Sequence, residues 1–206
     1  MHRSFTLADA AAAQIYDIMA TLIVPRPIAF VSTLSSDGVA NLAPFSYFMP
    51  GGVNPPSLCF CTILGRDGNR KDSLRNIEET GEFVVNLVTR EMAEGMNETG
   101  FGFPPHVSEW PASGFTQIDS QFVKPARVME SPAHFECRLF QAVQHGEGQN
   151  AGVYVMGEIL AAHVSESLFN DEQILPFEPI ARLGGSSYFD LACGKVFEMS
   201  RPKGSQ

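Results

Sequence analysis

Positive charge is scarce in this sequence of 206 residues: 14 Lys and Arg stand against 23 Asp and Glu, a formal charge of −9. The cations are scattered except around Arg66–Arg75, so there is no basic face for a polyanion, which argues against nucleic acid and an anionic membrane surface as partners. Long apolar runs are also missing. The most helix-like stretch, Ala10–Val24, is broken by Gln14, Asp17 and Pro25 and is too short and polar to span a bilayer. Asp9 interrupts the Ala cluster where a secretory signal would be apolar, so a cytoplasmic protein is expected. Cysteine is limited to Cys59, Cys61, Cys137 and Cys193, with no CxxC pair, which reads as reduced, buried thiols rather than a disulfide frame. Neither GxxxxGK[ST] nor GxGxxG occurs, so a P-loop and a dinucleotide fingerprint are absent. No internal repeat is visible.

What is present is mostly β-forming. Thr6-Leu-Ala-Asp9 resembles a capping box, and Ile15, Ile18, Met19 and Leu22 follow at helical spacing, so an amphipathic helix is predicted over 8–22, stopped by Pro25 and Pro27. Strands are predicted at Ile28–Leu34, Val39–Phe48, Ser57–Ile63, Glu82–Val88, His134–Val143, Gly152–Val164 and Cys193–Met199. Asp37-Gly38 between the first two is a hairpin signal, because Gly supplies positive φ without strain. A short helix over Ser73–Thr80 ends at Gly81, placed as a C-terminal cap. Between the strands lies a loop-rich excursion, 100–132, rich in proline and holding Trp110, the one tryptophan. Six or more strands with short turns and few helices predict a single mainly β domain: an antiparallel barrel with peripheral helices.

Two segments suggest chemistry. Asn69-Arg-Lys-Asp-Ser73 brings two cations and a hydroxyl to a helix start, where unpaired N–H groups and the helix dipole favour a phosphate. The alternative for this spacing is a solvated loop with an ordinary Asp or Ser N-cap. Asn41-Leu-Ala-Pro-Phe-Ser46 places Pro44 in a strand that cannot complete its ladder there, so it belongs at an edge or break whose free backbone groups could bond a heterocycle; an irregular strand end is the plainer alternative. Cys59 and Cys61 share one strand face and read as packing rather than metal ligands. His106, His134, His145 and His163 are isolated. His106, beside Pro104-Pro105, is the one that could meet a substrate, and Trp110 reads as the anchor of the excursion.

The strings PRPIAFVSTLSSDGVANLAPFSYF, NPPSLCFC and RKDSLRNIEETGEFVVNLV, followed by EWPASGFT, MGEILAAHV and IARLGGSSYF…VFEMSRP, resemble in order and spacing the flavin reductase-like family with an FMN-binding split barrel, in its flavoredoxin-like branch. The resemblance implies a Greek-key split β-barrel and a homodimer with one flavin mononucleotide (FMN) per subunit near the interface. It implies an isoalloxazine edge against the backbone of Asn41, Leu42, Ala43, Pro44, Phe45 and Ser46, with Ser32 and Thr33 near the ring or ribityl chain. It also implies a phosphate near Arg70, Lys71 and Ser73, and Tyr188 close to the flavin. The implied activity is reduction of flavin by NADH or NADPH, with electrons passed to a small-molecule or protein acceptor. The flavin supplies the redox chemistry, so no catalytic triad is required of the chain. A non-enzymatic electron carrier between protein partners, or a split-barrel module holding another ligand such as haem, are the alternatives.

Overall fold

The structure is a computed structural model that describes residues 2–6, 8, 11–104 and 107–202. Helix α1 (Ala12–Leu22) precedes β1 (Ala29–Leu34), β2 (Ala40–Phe45), β3 (Phe48–Val53) and β4 (Pro56–Ile63); α2 (Asp72–Thr80) then leads into β5 (Glu82–Asn86). Next come α3 (Ala93–Glu98), α4 (Trp110–Ser113) and a small pair, β6 (Gln117–Ile118) with β7 (Arg127–Val128). The long strands β8 (Ala133–His145) and β9 (Gly152–Val164) follow, then the pair β10 (Phe169–Asn170) and β11 (Gln173–Ile174). A closing sheet holds β12 (Ile180–Arg182), β13 (Ser187–Asp190) and β14 (Lys195–Glu198).

Seven strands form one antiparallel sheet in the order β2-β1-β5-β8-β9-β4-β3. Its two edges, β2 and β3, are neighbours in sequence, joined only by Ser46-Tyr47, so the sheet must curl to bring its ends together. They meet at a corner: the Cys61 N–H donates to the Tyr47 carbonyl at 2.7 Å, and the Phe45 and Phe60 rings lie 4.8 Å apart. Away from that corner the seam is unpaired, which is the split in the barrel. Pro44 sits, as expected, on an edge strand. The neighbouring Leu42 N–H points away from β1, and by the two-residue alternation Pro44 faces the same outward side, where a missing donor breaks no ladder bond.

Strand β1 is buried on both faces. Ala29 and Val31 enter the barrel core with Leu58, Phe60, Phe83, Val85 and Val155, while Ile28 and Phe30 point to a second core with Leu42, Val88, Met92, Trp110, Ile180 and Tyr188. That is why Ile28–Val31 is a continuous apolar run rather than an alternation. Inside the barrel, Gly157 stands where the Phe83 ring packs; a Cβ there would lie 2.3 Å from Phe83 Cζ.

The predicted elements are found with shifted bounds. Gly38 (φ +85°) closes the β1–β2 hairpin and Gly81 (φ +74°) caps α2. The single run Val39–Phe48 is two strands, because the chain turns the barrel corner at Ser46-Tyr47. Strand β3 was hidden by Pro50, Gly51 and Gly52. A Cβ at Gly51 would stand 2.5 Å from Ser57 Oγ and 3.1 Å from the Ser57 carbonyl oxygen, so Ser57 would have to shift, and the register shifts between Pro50 and Val53. Helix α1 has Ala11 as its N-cap without a side-chain cap bond, and Asp9 of the expected capping box lies outside the described residues. Cys137 is buried and Cys59 and Cys61 are half-buried, but Cys193 is exposed because it falls in the surface turn between β13 and β14, which corrects the expectation of uniformly buried thiols.

The excursion is pinned rather than loose. Glu136 of β8, fully buried, accepts from the backbone N–H groups of Gln121 (2.8 Å) and Phe122 (2.6 Å) and from His163 Nε2 (2.7 Å). Burial alone would raise its pKa, but these donors outweigh it and hold the carboxyl below the usual glutamate value. Trp110 anchors the other end in the second core. Among the described residues no helix is long and apolar enough to cross a membrane.

Gly157→Ala is expected to destabilise the fold by about 1–3 kcal/mol in denaturant titrations, since the Phe83 ring must shift. Glu136→Gln removes acceptor capacity in a buried network and is expected to cost about 1–3 kcal/mol at neutral pH. Folded Glu136 holds its proton less tightly than unfolded, so its contribution is complete above about pH 4.5 and lost as pH falls through the lowered folded value. The gap between wild type and the variant should therefore narrow under acid conditions.

Candidate functional site

A cavity of about 550 Å³ opens where α1, the β2–β3 corner, β4, the residue before α2 and the β12–β13 turn converge. Its volume falls within the ordinary range for small-molecule pockets. Pro44, Phe45 and Ile63 give it an apolar wall; Tyr16, Ser46, Tyr47 and Thr62 add hydroxyl groups.

Its charge is opposite to that of the chain. Among the described residues Arg26, Lys71, Arg182 and Arg201 line the cavity, against one carboxylate, Asp17. None of these four cations forms an ion pair among the described residues; the ion pairs present involve Arg70, Arg75, Arg127 and His163. Partial desolvation of the ammonium, assisted by the neighbouring charge of Arg201, lowers the pKa of Lys71.

Each cation is delivered by local structure. Arg26, between Pro25 and Pro27, is held in an isolated bridge to Arg182 and is buried. Its guanidinium donates to the carbonyls of Ala20 (2.5 Å) and Ile23 (3.1 Å) at the end of α1 and of Leu183 (2.8 Å) after β12, and it reaches Ser46 Oγ at 3.5 Å. Desolvation lowers its pKa from the usual arginine value. Arg182 lies over the Tyr188 ring at 4.3 Å, which itself stacks on Phe197 at 5.6 Å, and Arg182 Nη2 donates to the Gly185 carbonyl. Lys71 is the N-cap of α2, and among the described residues no side chain caps this helix start.

The residues singled out in the sequence fall in different places. Pro44, Phe45, Ser46 and Lys71 line the cavity. Ser32, Thr33, Asn41 and Ser73 are buried with their side chains engaged inside the protein: Ser32 Oγ donates to the Ala126 carbonyl (2.5 Å), while Thr33 and Ser73 donate to Asn41 Oδ1 (3.2 and 2.6 Å). Leu42 is core, and Ala43 is half-buried between Leu42 and Pro44. Arg70 pairs with Glu78 and does not line the cavity; Tyr188 is buried under Arg182. His106 lies outside the described residues, and no described residue of 100–132 lines the cavity. Sequence reasoning assigned no role to Arg26, Arg182 or Arg201, although all three stand in the strings PRP, IARLGG and MSRP that carried the resemblance. Nor did it single out Glu109, a buried glutamate in the turn before α4 whose pKa burial pushes up to about 7 against the opposing bond from the Leu42 N–H.

Comparison with known proteins agrees with this architecture. The model of the family described as flavin reductase like domain matches residues 19–178. Nitrilotriacetate monooxygenase component B from Bacillus cereus is similar at 33% identity and a TM-score of 0.88, covering 97% of this chain and 99% of that one. The 2-nitrobenzoate 2-nitroreductase NbaA of Pseudomonas fluorescens is 30% identical with a TM-score of 0.82, covering 98% and 97% of the two chains. A flavin reductase with a split barrel domain from Shewanella frigidimarina shares 19% identity and a TM-score of 0.77 over 98% of each chain, a likeness of fold alone. A mainly β split barrel, a family model covering most of the chain and two such neighbours lead to one conclusion: the chain belongs to the flavin reductase-like family.

Proposed function

We propose that this chain binds FMN in the cavity beside α2, reduces it with NADH or NADPH, and passes the electrons to a second, small-molecule or protein acceptor. The observation that carries the reading is the set of four cations around an apolar-walled cavity in a chain of net charge −9. A phosphate monoester on a flat heterocycle matches that division: the anion meets Lys71, Arg201 and the open start of α2, and the ring meets Pro44 and Phe45. The family supports flavin as the heterocycle, and the neighbouring structures include a nitroreductase and a monooxygenase component.

Bound flavin would supply hydride and electron transfer; the chain's own residues bind and orient it. Arg26 and Arg182, already engaged with backbone carbonyls and an aromatic face, act as fixed positive charge behind the site. Among the described residues Lys71 and Arg201 have no such partners, and they are the phosphate ligands.

A homodimer completes this reading. Beside the cavity, the outward face of β3, β4, β9 and β8 carries Met49, Cys59 and Met156 in one cross-strand row and Cys61, Tyr154 and Val143 in the next. Met49 is 58% exposed, Tyr154 45% and the bulged Phe140 73%, an apolar surface that a second copy would cover.

A visible spectrum of purified protein, with FMN added if needed, should show bound flavin that bleaches anaerobically with NADH or NADPH. Flavin that stays oxidised with both would leave an electron carrier, and no flavin binding would remove the proposal. Lys71→Ala with Arg201→Ala should weaken FMN binding by about 1.5–3 kcal/mol for each cation removed, whereas Arg70→Ala, whose partner is Glu78, should leave affinity within about twofold. Sedimentation should give twice the 22.5 kDa chain mass; a monomer would contradict the dimer.

A further inference from the structure

Glu109 does not line the cavity, yet it is tied to two of its walls. Its carboxylate oxygens are matched to separate donors on the outer edge of β2: Oε1 accepts from Asn41 Nδ2 at 2.6 Å and Oε2 from the Leu42 backbone N–H at 3.0 Å. An ionised carboxylate only accepts, so it holds the amino side of the Asn41 amide toward itself and leaves Oδ1 facing α2. There Oδ1 takes both Ser73 Oγ, at 2.6 Å, and Thr33 Oγ1, at 3.2 Å, and Asn76 Nδ2 donates to Thr33 Oγ1 at 3.0 Å. All five side chains of this network are buried.

The network ends on cavity elements. Ser73 is the second residue of α2, two positions after Lys71, and Asn41 and Leu42 precede Pro44 and Phe45 on the same strand, which leads into Ser46 at the corner. We propose that Glu109 is a positioning residue for the flavin cavity: by orienting Asn41 it locks the edge of β2 to the first turn of α2, and so sets Lys71 and Pro44–Ser46 in the geometry that receives the cofactor. The inference rests on the reading of that cavity given above.

The network is complete only when the carboxylate is ionised. Protonation turns one oxygen into a donor, and either the Leu42 N–H or the Asn41 amide loses its partner. Burial places this exchange near neutrality, at about 7, opposed by the Leu42 N–H and reinforced by the charge of Asp72 at the head of α2. Asp72 is itself paired with Arg75; Asn41, Leu42, Thr33 and Ser73 carry no charge. Cofactor affinity should therefore rise with pH across the neutral range.

The test uses the full chain as wild type, Glu109→Gln and Glu109→Ala, with FMN as the probe. Flavin fluorescence quenching gives the FMN dissociation constant between about pH 5.5 and 8.5, a range that brackets the glutamate. Emission of Trp110, the neighbouring residue and the only tryptophan, is followed in flavin-free protein over the same range. Wild type is expected to gain about tenfold in affinity as pH rises through 7, the size of one buried hydrogen bond, with a matching step in Trp110 emission. Glu109→Gln should lose the step near pH 7 in both readouts and keep only the dependence set by the second ionisation of the FMN phosphate, at about pH 6, and Glu109→Ala should bind about tenfold or more weakly at the upper end of the range. A folded Glu109→Gln protein with the wild-type affinity and pH profile overturns the positioning role alone. Wild type that binds no FMN at any pH overturns the function proposed above instead. If Glu109→Ala does not fold, the glutamine variant decides.

Discussion

Removing one guanidinium from water shapes much of this molecule. Arg26 has no carboxylate among the described residues to offset its burial, so its donors must be satisfied by carbonyl and hydroxyl oxygens. Those oxygens come from three places far apart in sequence: the end of α1, the barrel corner at Ser46, and Leu183 beyond β12. An unpaired buried charge is expensive, so the three must stay together for Arg26 to stay inside. The isolated bridge between Arg26 and Arg182 fixes the same junction through the backbone. The cavity lies in the space those elements enclose.

A second consequence is electrostatic. Carboxylates outnumber cations over the whole chain, but the reverse holds around the cavity. A cationic cleft with low-dielectric walls inside an anionic surface focuses potential at one mouth and repels anions elsewhere. Tyr188 contributes by presenting its ring face to Arg182, which is how a buried aromatic outside the cavity can matter to one inside it.

Strand positions were legible in the sequence wherever apolar runs met unambiguous turn chemistry. Asp37-Gly38 and Gly81 marked their turns because positive φ favours glycine there. Strand β3 was illegible because Pro50, Gly51 and Gly52 are breakers in isolation, and the contacts of Gly51 and Gly52 with Ser57 appear only in the fold. In the closing sheet β14 was expected, as Cys193–Met199, whereas β12 and β13 carry too few residues for a period to show. At the site, Lys71 and Pro44–Ser46 could be picked out locally, from a helix start and a broken strand. Arg26, Arg182 and Arg201 could not, since what unites them is a fold that gathers positions 26, 71, 182 and 201 around one space. Glu109 was hidden for the same reason: its partners lie 67 and 68 residues away, and nothing in EWPASGFT marks a buried carboxylate.

Strand β1 gives one face to the barrel interior and the other to the core formed with Trp110, Ile180 and Tyr188. A strand that serves two cores leaves no boundary along which either could loosen separately. Barrel and outer layer are thus parts of a single cooperative unit rather than a scaffold with an appended cover, and the last amides to exchange with solvent should be those of β1 itself. The floor of the cavity, set at the β2 edge next to that strand, is held with it, so any adjustment of the cavity's shape falls to the elements outside it, α1 and the segment carrying Arg201.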